Sequence, residues 1–319
     1  MYNEGRKIDF IKHKYKFDSS SAKLAMATFE ICAPFEEGWG ADICTRSAEE
    51  IEPVANKLVG MRSQSKWPRF NILKSYVQWC KAIGVPDVCD GVFNVKFDEL
   101  SKLRTQMVRN PAHLQKYLDE ICEPESENTV DITYRCYYWM AYGGIDEDDI
   151  PGITVPDIDF EEKIIKYRNT AVEIYRQAWP AFDKAIHLTE FQWRGRTDKD
   201  GNSLIRERAE GDVVVRGISG EPDRNVMRAT LSRRAKQRAE LGLTEMRLSY
   251  SRVWMSGLFY RMYQEELATG IVDFSDVARQ FMDGKTYSFE DDQMAIDAKR
   301  RKLQKNYMND YQRWKAAFY

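Results

Sequence analysis

Three histidines, His13, His113 and His187, are all the imidazoles in 319 residues, and none sits in an HExxH or at metal-ligand spacing from a cysteine. A metal centre or a Ser-His-Asp hydrolase is therefore not expected. Asp283-Gly284-Lys285-Thr286 contains a Gly-Lys-Thr, but a phosphate-binding loop needs a glycine five residues before Gly284, and Arg279 stands there without a preceding strand. GxSxG and GxGxxG are absent. The six cysteines, Cys32, Cys44, Cys80, Cys89, Cys122 and Cys136, form no CxxC pair, and a chain of this size needs no disulfide staples, so reduced thiols are expected. A helix start in the first half is a better clue. Ser63 and Ser65 precede Lys66, Trp67, Pro68, Arg69 and Phe70, at the head of a run whose apolar members continue through Leu73, Val77 and Cys80. Hydroxyls, free helix amides and cations gathered at one helix end can meet a phosphate. An ordinary exposed helix start looks the same, so both readings stay open.

Net charge is only −2, an average that hides segregation. Residues 1–160 hold 19 Lys+Arg against 26 Asp+Glu, whereas 161–319 hold 29 against 24. The contrast sharpens to 6 cations against 18 anions over 85–162, and 9 against 2 over 224–261. A basic stripe beside an acidic region is an electrostatic footprint for a polyanion, and solvated helix faces are the plainer alternative. No apolar run approaches the roughly 20 residues that span a bilayer, and the N-terminus lacks the apolar core of a signal peptide, so a cytoplasmic protein with no membrane partner is expected.

The elements that must position these residues are mostly helices. At 43% hydrophobic, the chain is long enough for two domains. Residues 1–47 suggest an N-terminal arm ending in a cap at Ser47. Over 48–145 the periodicity predicts helices near 48–60, 66–83, 96–120 and 129–142, one compact helical domain. The stretch 146–162, rich in acids, glycine and proline, suggests a linker. Beyond it, 163–319 opens with expected helices over 161–178 and 181–192. A small antiparallel sheet follows around the turn signals Asp200-Gly201 and Gly217 to Gly220, and then helices near 222–241, 249–269, 273–283 and 290–316.

A helical domain whose Ser-rich helix start runs into "LKSYVQWCKAIGV" resembles the core-binding domain of tyrosine recombinases, the phage-integrase family. In the second half, "AFDKAIHLTEFQW" at 181–193, "RLSYSRVWMSGLFYRMYQEELATG" at 247–270 and "VDFSDVARQFMDG" at 272–284 resemble the three catalytic boxes in order and spacing. The resemblance covers about residues 60–311. It implies a mainly α fold: an all-helical core-binding (SAM-like) N-terminal domain, then a catalytic-type domain of mixed helices with a small antiparallel sheet. Carried over position by position, it places Lys184 where the family has its first arginine, Ser249 for the second-box histidine, Arg252 for the retained arginine and Gly284 for the third-box His or Trp. The nucleophile would fall near Gln293, where there is no tyrosine.

Strand exchange needs a phenolate nucleophile, proton-transfer groups and paired arginines on the scissile phosphate. Lys184 cannot form a bidentate fork, and Ser249 cannot shuttle protons as imidazole does. The resemblance therefore implies a DNA binder without turnover, similar to the recombinase-like repressors that maintain lysogeny in SPβ-type prophages. Its partner would be a double-stranded operator, with no metal or cofactor required. The expected contacts are Ser63, Lys66, Arg69 and Lys74 on one domain, and Lys184, Arg228, Arg233, Arg234, Lys236, Arg238 and Arg252 on the other. For the run 228–238 a solvated helix face is the competing reading. The alternatives are an active integrase using Tyr287 or Tyr307, an architectural DNA-binding accessory, and an interaction scaffold without DNA. The C-terminal helix, with Ile296, Leu303, Tyr307, Tyr311, Trp314 and Phe318 along it, is expected either to mediate self-association or to pack on its own domain.

Overall fold

A computed structural model describes residues 2–16, 18–58, 67–96, 99–122, 129–168, 170–197, 199–201, 203–207, 211–216, 224–282 and 292–319. The fold is mainly α with small antiparallel sheets, as the sequence implies. The chain divides into two compact units, Met1–Lys102 with Phe274–Arg313, and Leu103–Asp273 with Trp314–Tyr319.

The first unit contains α1 (Glu4–Lys14), α2 (Ser20–Trp39), α3 (Ala48–Leu58), α4 (Pro68–Ala82) and the single turn α5 (Gly91–Asn94). The stretch 1–47 is not an arm. Phe10, Ala25, Phe29 and Cys32 on α1 and α2 share one core with Val54, Leu73, Tyr76 and Val77 of α3 and α4. A buried ion pair ties α1 to α2, the Lys7 ammonium meeting Glu36, whose other oxygen accepts from the Ile43 amide at 3.0 Å. Such a pair survives burial only because each charge is fully partnered. The helix expected near 66–83 is α4, which begins at Pro68, whose fixed φ suits a first helical position. α12 (Phe274–Met282) and the first part of α13 (Gln293–Phe318) complete this unit.

The expected helix over 96–120 is two, α6 (Glu99–Gln106) and α7 (Pro111–Ile121). Pro111 forces the break: it removes an amide and drives Asn110 extended, and the Asn110 side chain then caps the His113 amide at 2.9 Å.

The second unit is built around α8 (Thr129–Gly143), whose side chains from Asp131 to Tyr142 are all buried. A helix buried on every face is the centre of its domain. Against it packs α11 (Tyr250–Thr269), at a distance only glycine permits: a Cβ on Gly257 would lie 1.9 Å from the Tyr142 carbonyl oxygen.

The segment 146–162 is not a free connector. Ile150, Ile153 and Ile158 enter the core, the Val155 amide donates to Asp212 O at 2.7 Å, and β1 (Ile158–Asp159) opens a three-stranded antiparallel sheet. The helix expected over 161–178 is also absent. Its residues form β2 (Ile164–Tyr167) and β3 (Thr170–Glu173), paired Ile164 to Glu173 and Tyr167 to Thr170. Isoleucine, valine and threonine favour strands, and Lys163 and Arg168 take positive φ at either end of β2, which ends helical propagation.

After α9 (Trp179–His187), β4 (Glu190–Thr197) and β5 (Ser203–Glu207) pair across the expected Asp200-Gly201 turn, Gly201 supplying the positive φ. The turn at 217–220 lies outside the described residues. α10 (Arg224–Glu240) and α11 follow. The last turn of α13 packs within this unit: Trp314 is fully buried and donates to Val108 O at 3.1 Å, while Lys315 reaches Glu266 at 2.6 Å. The end of the C-terminal helix therefore serves its own domain.

Candidate anion-binding site

Three helices of the second unit, α8, α10 (Arg224–Glu240) and α11, and the segment leading into α11 converge on a pocket of about 560 Å³. Burial alternates strictly through residues 244–249 and into the first residue of α11: Thr244, Met246, Leu248 and Tyr250 are buried, while Glu245, Arg247 and Ser249 are exposed. The period of two turns Arg247 and Ser249 to one side. On α10 the buried residues Met227, Leu231 and Ala235 hold the helix down, and Arg228, Ser232 and Lys236, spaced four apart, form one outward row. α11 begins here, with Ser249 as N-cap and Ser251 and Arg252 in its first turn.

The result is a concentration of positive charge. Arg228, Lys236, Arg247 and Arg252 line the pocket, with hydroxyls from Ser232, Ser249 and Ser251 and the phenols of Tyr137, Tyr138 and Tyr250. The start of a 20-residue helix adds the positive end of its dipole, and no acid occupies its first turn. Ser249 makes no side-chain cap bond; its Oγ lies 3.2 Å from that of Ser251. Arg252 donates to the Arg247 carbonyl at 2.9 Å, and among the described residues neither arginine has a carboxylate partner. Burial with no compensating anion pushes the Arg252 guanidinium below its ordinary value. An anion entering the pocket would relieve that cost.

The phenols are held differently. Burial, then the carboxylate of Glu147, pushes the Tyr137 hydroxyl far above its ordinary value, and burial does the same to Tyr138 and Tyr250. Tyr138 donates to Leu248 O at 3.0 Å and Tyr250 to Ile145 O at 2.7 Å. All three are neutral donors near pH 7, not phenolates.

Of the sequence-expected contacts, the structure brings Arg228, Lys236 and Arg252 together. Arg234 turns inward to Asp131, a carboxylate with 1% exposure, and stacks over Tyr134 at 5.2 Å. Arg233 and Arg238 lie on other faces of α10, and Lys184 is exposed on α9 away from the lining residues. In the first unit Lys74 sits over Phe70 at 5.2 Å, and Arg69 is half-buried in the first turn of α4. Ser63, Lys66, Gly284 and Tyr287 lie outside the described residues. The sequence reading missed Arg247, Glu147, Tyr137 and Tyr138. Alternation over 244–250 was the signal that could have paired Arg247 with Ser249; nothing local marked the others.

With this geometry in view, comparison with known proteins is informative for one part of the chain. Residues 1–82 match the family model described as MrpR, N-terminal core-binding domain. That match runs through α1 and α2, the stretch for which the sequence suggests an arm, and ends at the last residue of α4. Among solved structures, the chain is similar to XerA recombinase at 12% identity and TM-score 0.36, over 82% of this chain and 83% of that one. It is also similar to the Tn1549 transposon integrase, in a structure with circular intermediate DNA, at 15% identity and TM-score 0.35, over 89% and 92% of the two chains. No curated protein matches the chain.

Proposed function

We propose that this protein is a sequence-specific DNA-binding repressor that holds backbone phosphates without cleaving them and, in a prophage, maintains lysogeny. The observation that carries the proposal is the pocket at the start of α11: four cations, three serine hydroxyls and a helix start gathered around phenols that stay protonated. Such a site holds a phosphodiester by charge and hydrogen bonds, and the buried phenols beside it are already committed as neutral donors within the chain. Ser249, which lines the pocket where the resemblance would put an imidazole, points the same way. The core-binding match of residues 1–82 supports a second DNA-facing surface, on which Arg69 and Lys74 of α4 supply cations.

The test is retention of genomic fragments by the purified protein at physiological salt, with sequencing of what is held and a denaturing gel of the same complexes. A short recurring motif without a covalent adduct is expected. An adduct abolished by Tyr287→Phe or Tyr307→Phe would assign a recombinase instead. Retention without sequence preference would assign an architectural protein, and no retention would leave an interaction scaffold.

A further inference from the structure

The anion pocket already contains an anion, and it belongs to the chain. Glu147 is the one acid among the lining residues, and Arg228 grips it along a full edge: Nε donates to Oε1 at 2.6 Å and Nη2 donates to Oε2. The Tyr137 hydroxyl donates to Oε1 as well. Burial opposes the charge on Glu147, but Arg228 and Tyr137 more than offset it and hold its carboxyl below the usual carboxylate range. The neighbouring acids are engaged elsewhere: Asp146 and Asp149 pair with Arg168 at 3.2 and 2.6 Å, and Asp148 pairs with Arg224. Only Glu147 of this acidic run turns into the pocket.

The edge of a guanidinium that takes a carboxylate in two parallel bonds is the edge that takes two phosphate oxygens. Arg228 cannot offer it to both at once. We propose that Glu147 is an internal competitor for DNA phosphate: it occupies Arg228 in the free protein and must yield it when DNA binds, holding affinity below what the four cations would give. This rests on the pocket being a phosphate grip and adds how that grip is restrained. The guanidinium side chain is 55% exposed while the carboxylate is 13% exposed, so Arg228 is the partner free to swing and Glu147 the fixed one.

The decisive experiment is a double-mutant cycle read by fluorescence anisotropy, on a labelled duplex of random sequence at fixed salt. Glu147→Gln should bind about fivefold tighter than the unaltered protein, the scale of an ion pair with one exposed partner. In an Arg228→Ala background the same change should give no gain. A gain that persists without Arg228 would mean that a negative charge was merely removed near DNA, and an unchanged or weaker Glu147→Gln would mean that the carboxylate only positions Arg228; either overturns the proposal. Should Glu147→Gln fail to fold, Glu147→Asp shortens the side chain and draws the carboxylate back from the Arg228 edge; it should give a smaller gain, about twofold, while no gain there would count against the proposal. If the unaltered protein and all variants ignore the duplex, it is the DNA reading that fails.

Discussion

Arg233 and Arg234 are adjacent on α10 and carry the same charge, yet their surroundings give them different work. Arg233 points to solvent; Arg234 pairs with the buried Asp131. Removing one partner of a buried pair strands the other's charge, so Arg234→Ala should cost about 3 kcal/mol in urea unfolding, while Arg233→Ala stays within about 0.5 kcal/mol. Arg252 is partly buried without a carboxylate, and an anion is the partner it lacks. Arg252→Ala should weaken duplex binding about tenfold with little change in sequence preference, as loss of a charge-assisted phosphate contact does; a selective effect on one motif in competition binding would speak for base reading. Glu147 adds a pH dependence. Its native carboxyl is held low, so the stability it contributes is complete above the ordinary value of 4.5 and is lost as pH falls through the depressed native value. Glu147→Gln should therefore be less stable than the unaltered protein at neutral pH, and the gap in denaturant midpoint should close on acidification below that value.

At the scale of elements, the site depends on how closely α11 approaches α8. Tyr250, Ser251 and Arg252 begin α11, and Gly257 two turns later meets the Tyr142 carbonyl with no room for a methyl group. Gly257→Ala has to push the helices apart and should destabilise the second unit by about 3 kcal/mol in thermal or urea unfolding, despite the better helix propensity of alanine. A neutral outcome would mean that the two helices separate at little cost. The row Arg228, Ser232, Lys236 follows from helical spacing and was open to sequence reading. That Arg234 on the same helix is spent on Asp131 depends on α8, more than 90 residues earlier, and no local pattern reports it. The strands β2 and β3 show a different difficulty. Ile164, Ile165 and Val172 suit a strand, but the charges among them also fit a helical face, and pairing with β1 decides the matter.

For the whole molecule, the segregation of charge sets how binding responds to salt. Of the nine cations over 224–261, four line the pocket, and they outnumber the acids that reach them, Glu147 and Glu240. If Arg228, Lys236, Arg247 and Arg252 each neutralise a phosphate, the logarithm of affinity should fall against the logarithm of salt with a slope of about −4 or steeper, and each alanine substitution should flatten it by about one. Slopes that do not change one by one would show that the pocket is not where the duplex backbone lies. Among the described residues no helix is long and apolar enough to cross a membrane, in line with the hydropathy of the chain. The mainly helical class, most helix positions, the hairpin at Asp200-Gly201 and the basic character of 224–261 were legible in the chain's own pattern, because periodicity, turn residues and charge are local properties. That residues of 1–47 enter a core and that 146–162 packs came from the folded chain. It alone also decided which cations face a common pocket and that Glu147 sits among them. Each of those outcomes rests on contacts between residues far apart in the chain, and the energy of such contacts is written in the packing and not in any single stretch.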